Sequence, residues 1–156
     1  MVAFARAASK AQEIEALLKD TVIAVEVAND TRDRSFEEIA KKIDKLPLGA
    51  LKKKYVETVA KDISDPGFKE LFEDINQQRI FLMHKFFQVF PVEKLDANKE
   101  AESKLREINE TLNIGCEVLS RAFRAALDLS LKIKPEELRD FLARFVEHRK
   151  KARVSE

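Results

Sequence analysis

The sequence is poor in several residue types, and each shortage excludes a class of structure or site. Cys116 is the one cysteine among 156 residues, which rules out an internal disulfide and argues against a cysteine-based zinc site. It also points to a reducing compartment, for which the cytoplasm is the expected location. The three glycines, at positions 49, 67 and 115, are too few and too scattered to build a glycine-rich phosphate loop. No apolar run approaches the roughly 18 residues that a membrane-spanning helix needs, so no membrane is expected as a partner.

An excess of charge of one sign is missing as well. The 29 basic and 28 acidic residues leave a net charge of +1, so the molecule as a whole does not attract nucleic acid or an acidic membrane. Charged residues make up 37% of the chain, compared with the roughly 25% typical of globular domains, and this favours long helices with solvated faces. Lysine and glutamate are abundant while asparagine and glutamine are scarce, a balance that hints at a thermophilic source.

Phenylalanine, in contrast, is concentrated in one stretch. Six of the eleven phenylalanines fall between Phe68 and Phe90, and the stretch ends at Pro91. At about 100° per residue, its apolar side chains cover roughly half of a helical wheel, far more than a one-sided surface helix needs. These side chains are Phe68, Leu71, Phe72, Ile75, Leu82, Met83, Phe86, Phe87 and Phe90. The pattern predicts a helix at the centre of the fold.

Other segments also repeat apolar residues at steps of three and four, as helices do. The first such stripe runs to about Asn29. Ser35 and Glu38 then form the signature of a capping box and predict the start of a short second helix. A third short helix is predicted over 51–63, and the proline and glycine that follow it predict a turn over 64–67.

The longest periodic segment follows the Phe-rich stretch. It predicts a helix of about 35 residues from a cap at Asp96 to about Ser130, and because an interior glycine costs roughly 1 kcal/mol, Gly115 indicates the close approach of another helix. Pro135 predicts the first turn of a last amphipathic helix. The predicted fold is therefore an all-α, single-domain bundle of five or six helices around a central Phe-rich helix. Residues 1–148 form the domain and 149–156 a basic C-terminal tail.

Two kinds of reaction centre are excluded by the residues that surround the potential ligands and nucleophiles. A di-metal bundle needs Glu-x-x-His on two helices, but Phe81 and Phe145 stand three residues before His84 and His148. Cys116 shares its stripe with apolar residues and has no basic neighbour there to lower its pKa, so it is interpreted as a buried, inert thiol. No metal and no cofactor are expected.

Arg79 and His84 form an Arg-x4-His spacing within the Phe-rich stretch. This spacing resembles the signature of the small helical ribonucleases of the HEPN superfamily, in which such a pair, usually from both protomers of a dimer, attacks RNA. The chain departs from the family pattern at Ile80, where a polar residue is common. Residues five apart on an unbroken helix point about 140° from each other, so Arg79 and His84 converge only if the helix is distorted between them.

Two local clusters of basic residues offer a different function, binding of nucleic acid by an accessory subunit. One is formed by Lys52, Lys53 and Lys54, and the other by the tail residues Arg149, Lys150, Lys151 and Arg153. Such clusters contact phosphates in nucleic-acid-binding proteins. The tail also has a structural explanation, because positive charge at a helix C-terminus complements the backbone dipole.

The favoured interpretation is a non-catalytic interaction or assembly subunit with a protein partner, which could be a second copy of the chain. Phe81 lies at about the same angle as Gln88, a polar residue of the Phe-rich helix, so it either extends an apolar patch into an interface, where aromatic side chains concentrate binding energy, or is covered by a peripheral helix. Phe81, His84 and Phe87 are the predicted interaction residues. Nucleic-acid binding through the basic clusters and HEPN-like cleavage of RNA by Arg79 and His84 stay open as alternatives.

Overall fold

The computed structural model describes residues 1–59, 66–133, 140, 143–144, 146–147 and 150–151. Within these residues the chain is helical and contains no strand, so the predicted all-α helical bundle is confirmed. The elements are α1 (Val2–Ala28), α2 (Phe36–Asp44), α3 (Leu48–Thr58), α4 (Pro66–Ile80), a π-turn (Phe81–Lys85), α5 (Phe86–Val89), a 3₁₀ helix (Val92–Ala97) and α6 (Lys99–Ile133). The predicted last helix falls largely outside the described residues.

The start of α2 follows from its capping box. The Ser35 hydroxyl accepts a hydrogen bond from the Glu38 backbone N–H at 3.2 Å, and the Glu38 carboxylate accepts one from the Ser35 N–H at 3.2 Å. Two backbone donors that a helix N-terminus leaves unpaired are satisfied in this way, and the sequence prediction is confirmed.

The Phe-rich stretch is helical from residue 66 to residue 89, but it is not one regular α-helix. At the π-turn the Phe86 N–H donates to the carbonyl of Phe81, five residues earlier, where an α-helix would bond residues four apart. A π-turn of this kind is rare and shifts the direction of every side chain that follows it. The sequence also predicts a turn over 64–67, but Pro66 and Gly67 already belong to α4, because proline suits a first helical turn.

The cap of the long helix α6 lies two residues later than predicted, at Asn98 and not at Asp96. Asp96 belongs to the 3₁₀ helix, and the Asn98 side chain accepts hydrogen bonds from the N–H groups of Glu100 and Ala101 at 3.0 and 3.1 Å. The cap at Asp96 was therefore wrong, because the chain first makes a tight 3₁₀ segment. From Lys99 the helix runs for 35 residues and passes through Gly115 unbroken.

The chain divides into two compact units. Unit 1 comprises Met1–Leu18 and Lys61–Arg121, and unit 2 comprises Lys19–Ala60 and Ala122–Glu156. Two of the boundaries fall inside helices, one within α1 and one within α6. The organisation as a single domain over 1–148 with a tail over 149–156 stays a prediction.

Each unit buries its own apolar side chains. In unit 1, α1 places both small and large residues in the interior, and the Phe-rich helix and α6 place mainly large ones there. The buried side chains of unit 1 include Ala7, Ala11, Ile14, Leu18, Phe72, Ile75, Leu82, Phe86, Phe90, Ile108, Leu112 and Leu119. Those of unit 2 include Val22, Ile23, Phe36, Ile39, Ile43, Leu51 and Tyr55.

Candidate interaction surface

A cluster of aromatic rings joins the start of α1 to the end of the Phe-rich helix. Phe86 lies at its centre, fully buried, with the ring of Phe4 at 5.4 Å, that of Phe87 at 5.4 Å and that of Phe90 at 5.2 Å. Phe4 also contacts Phe87, with 4.5 Å between the ring centroids. Tilted and edge-on ring pairs at these distances are favourable. The cluster therefore fixes Phe87 against the N-terminal turn of α1.

Exposed large apolar side chains are concentrated in the segments that form this cluster or adjoin it in sequence. Ten large apolar side chains are exposed in the part of the chain that the structure describes, and seven of them belong to the N-terminus of α1, the Phe-rich helix or the residues that follow that helix. We call these seven the apolar end of unit 1: Met1, Val2, Ile80, Met83, Phe87, Val89 and Val92. Single exposed apolar residues need no explanation, but a cluster of them marks a candidate interface.

The three predicted interaction residues lie in different surroundings. Phe87 is 39% exposed and belongs to the apolar end, and His84 is exposed beside it on the π-turn. Phe81 is half-buried, because its ring lies edge-on to Phe86 at 6.3 Å and the Lys104 ammonium lies 5.3 Å from its centroid. Phe81 therefore connects the buried rings to the surface through a cation–π contact.

Beside Phe81 an open groove of about 350 Å³ runs along the Phe-rich helix. Its lining consists of Gln77, Gln78, Ile80, Phe81, Lys85 and Lys104. Glu107 anchors one wall, since it accepts hydrogen bonds from Lys104 at 3.0 Å and from Gln78 at 2.9 Å. The hydrogen bond from Lys104 lowers the pKa of the Glu107 carboxyl. The groove thus combines an apolar floor with amide and ammonium groups.

Arg79 and His84 are placed in contrasting environments. Arg79 is 7% exposed and binds the Glu15 carboxylate of α1 through Nη2 at 2.5 Å, while its Nε and Nη1 atoms have no hydrogen-bond partner among the described residues. Desolvation lowers the pKa of the Arg79 guanidinium, and Glu15 opposes that shift. His84 faces solvent. The π-turn begins two residues after Arg79 and contains His84, and it leaves the first side chain buried and the second exposed.

The lysine cluster of α3 is engaged with acidic residues of unit 2. Lys54 forms an ion pair with Glu26 at 3.1 Å, and Lys53 lies 3.9 Å from Glu57 one turn later. In the tail, Lys150 and Lys151 are exposed and helical, while Arg149 and Arg153 lie outside the described residues. Lysines that are already paired offer less net charge to a phosphate than the sequence suggests.

Cys116 is half-buried, and not fully buried as predicted. Its Sγ donates to the Lys10 carbonyl at 3.9 Å. Desolvation raises the pKa of the thiol to about 11, so the thiol is protonated near neutral pH and is a poor nucleophile there. Within the described residues, no three histidine, cysteine, aspartate or glutamate side chains come together in a way that could hold a metal ion.

Comparisons with family models, curated proteins and solved structures find no match to this chain. Across the described residues, no helix combines the length and the apolar character needed to span a membrane.

Sequence reasoning missed two features of this surface. Ile80 and Met83 are exposed apolar residues of the apolar end. A regular helical wheel does not reveal their exposure, because the π-turn at Phe81–Lys85 changes the angles between the residues on either side of it. Glu15, the partner of Arg79, gave no signal, because 64 positions separate the two residues in the sequence.

Proposed function

We propose that this chain is a non-catalytic assembly subunit that binds another protein chain through its apolar end. The observation that carries the proposal is the exposure of Met83, Phe87 and five further large apolar side chains on the N-terminus of α1, the Phe-rich helix and the residues that follow it, segments that the contact between Phe4 and Phe87 joins. Methionine and phenylalanine are enriched at interfaces, where their burial concentrates binding energy. The expected location is the cytoplasm, in keeping with the single free thiol.

The ring contact between Phe4 and Phe87 supports this proposal energetically. Binding orders flexible side chains and costs roughly 0.5–1.5 kcal/mol for each one that is immobilised. Phe87 is already held by Phe4 and by the edge of Phe86 before any partner arrives. A partner that covers Phe87 therefore gains the burial of an aromatic ring at a low entropic cost.

A matched pair of isoleucines tests the proposal. Ile80 is 45% exposed in the apolar end, and Ile114 is 51% exposed on α6 outside it. The chain is purified from its native cell after nuclease treatment, and its hydrodynamic mass is compared with 17.9 kDa. Assembly with protein should survive in Ile114→Glu and be lost in Ile80→Glu and Met83→Glu, with all three variants folded by circular dichroism. Equal assembly in all of them refutes the proposal.

Cleavage of RNA by Arg79 and His84 is a second candidate, and the π-turn is the observation that favours it. Three of the five steps from Arg79 to His84 lie within the π-turn, whose wider turn reduces the angle between residues five apart. The burial of Arg79 sets a further requirement, since its guanidinium must leave Glu15 to reach a phosphate.

Single-stranded RNA is the substrate that tests this second function. If Arg79 and His84 act together, His84→Ala abolishes cleavage, and Glu15→Gln, which frees the guanidinium, changes the rate. Cleavage that survives in purified His84→Ala belongs to other residues or to a contaminant. The same preparations also report whether RNA is bound without being cleaved.

A further inference from the structure

The two halves of the Phe-rich helix expose opposite charges. Glu70 and Asp74 are exposed one turn apart on α4, and Lys85 is exposed at the end of the π-turn. Neither the Asp74 carboxylate nor the Lys85 ammonium forms a hydrogen bond or an ion pair with the described residues. The helix therefore carries an acidic site and a basic site that are not used within this part of the chain.

The groove beside Phe81 includes the basic residue of this pair and begins about one turn after the acidic one. Gln77, three residues after Asp74, lines it at one end, and Lys85 lines it at the other. Ile80 and Phe81 form the apolar part between them. A ligand that lies in the groove along the helix meets Lys85 and then an apolar centre, and it reaches Asp74 only if it extends about one turn beyond Gln77.

We propose that the occupant of the groove is the same helix of a second copy of the chain, packed antiparallel about a two-fold axis near Ile80. This inference rests on the proposed function and names the partner. A two-fold axis presents one surface to itself, so the surface has to be self-complementary. With the axis between Arg79 and Ile80, Asp74 of each copy faces Lys85 of the other, and Ile80 lies at the centre.

The dimensions of the helix fit this arrangement. Asp74 and Lys85 are 11 residues apart, which corresponds to about 16 Å along a regular α-helix and to slightly less here, because the π-turn is wider and rises less per residue. The two intermolecular ion pairs would therefore flank a contact about three turns long, built on Ile80, Phe81 and Gln77. Because exposed ion pairs are weak, the apolar centre supplies most of the affinity, and the charges select the antiparallel direction. Antiparallel packing also opposes the two helix dipoles.

The inference is tested by exchanging the charges of Asp74 and Lys85. The dissociation constant of the dimer is measured by sedimentation equilibrium over a range of concentrations. The wild-type chain should form a dimer of twice 17.9 kDa. Lys85→Glu and Asp74→Lys should each raise the dissociation constant on the order of tenfold, because each introduces two like-charge contacts per dimer. The double variant, which restores opposite charges across the axis, should return to within about threefold of the wild type.

Control variants make the same charge changes elsewhere. Lys94→Glu and Glu110→Lys alter exposed residues outside the groove and should leave the dissociation constant unchanged. The inference is overturned if the chain is a monomer at every concentration. It is also overturned if the single variants leave the dissociation constant unchanged, or if the double variant has a dissociation constant as high as theirs. If the charge exchange fails but Ile80→Glu still abolishes assembly, the second-copy inference is wrong and the proposed function stands. If Ile80→Glu leaves assembly intact, both are wrong.

Discussion

Gly115 and Ile75 are packed so closely that no side chain fits between their helices. A Cβ added to Gly115 would lie 2.8 Å from Ile75 Cδ1 and 2.9 Å from Ile75 Cγ1. Ile14 of α1 closes the same space at 3.3 Å. The glycine thus allows α6 to approach α4 and α1 within unit 1, and the close approach inferred from the sequence is confirmed.

Gly115→Ala is expected to destabilise unit 1. Alanine favours the helix by roughly 1 kcal/mol, but overpacking a well-filled core costs about 1–3 kcal/mol, and the second effect should dominate because Ile75 and Ile14 are both buried. Urea unfolding should show a net loss of about 1 kcal/mol. Gly49→Ala in α3 is the matched control, since an added Cβ meets nothing within 4 Å there. Its unfolding free energy should stay the same or rise.

Ser35→Ala is expected to weaken α2. The substitution removes the acceptor of the Glu38 N–H and leaves that donor without its cap, a loss worth about 1 kcal/mol. Thermal unfolding should detect the loss as a lower midpoint. Ser103→Ala changes an exposed serine in the interior of α6 and should leave the midpoint nearly unchanged. An equal effect of the two substitutions would contradict the capping argument.

Removing either partner of the ion pair between Arg79 and Glu15 is expected to cost a different amount of stability. Glu15→Gln leaves a buried guanidinium without its counter-charge and should cost about 1–3 kcal/mol, with the partial exposure of Glu15 limiting the loss. Arg79→Met removes the charge together with its unpaired Nε and Nη1 atoms and should cost less. In a double-mutant cycle, Glu15→Gln should become nearly neutral once Arg79 is Met. Additive costs would show that the two residues do not interact.

Stability is expected to fall at alkaline pH. The Cys116 thiol has a pKa of about 11 in the folded chain, above its ordinary value of 9.0, so the unfolded chain loses that proton first as the pH rises. The free energy of unfolding should therefore decrease between about pH 9 and pH 11. Burial also raises the pKa of Tyr55 above its ordinary value of 10.0. The free energy of unfolding should therefore decrease further as the pH rises past about 10. Urea titrations at pH 8 and pH 10.5 should show a smaller decrease in Cys116→Ala than in the wild-type chain.

Local patterns made several parts of the fold predictable. The apolar repeat of α1, the capping box at Ser35 and the close approach at Gly115 each depend on residues a few positions apart or on the cost of one glycine in a helix. The cap of α6 was misplaced, because Asp96 and Asn98 are both good caps and the 3₁₀ segment decides between them.

The surface was less predictable than the fold. The pairing of Arg79 with Glu15 depends on how α1 packs against α4, which no local spacing reveals. The π-turn has no residue signature comparable to a capping box, so a regular helix was the natural expectation. Phe87 was among the predicted interaction residues, yet its contact with Phe4 depends on the fold of unit 1.

The five-residue turn at Phe81–Lys85 also makes the aromatic cluster depend on how the backbone winds before it. If the same residues wound with the ordinary four-residue bonding throughout, everything after this segment would rotate by about 100°. Phe86 and Phe87 would swing away from Phe4 although no aromatic side chain had been altered. In this helix, spacing along the backbone specifies where the rings meet as much as their chemistry does.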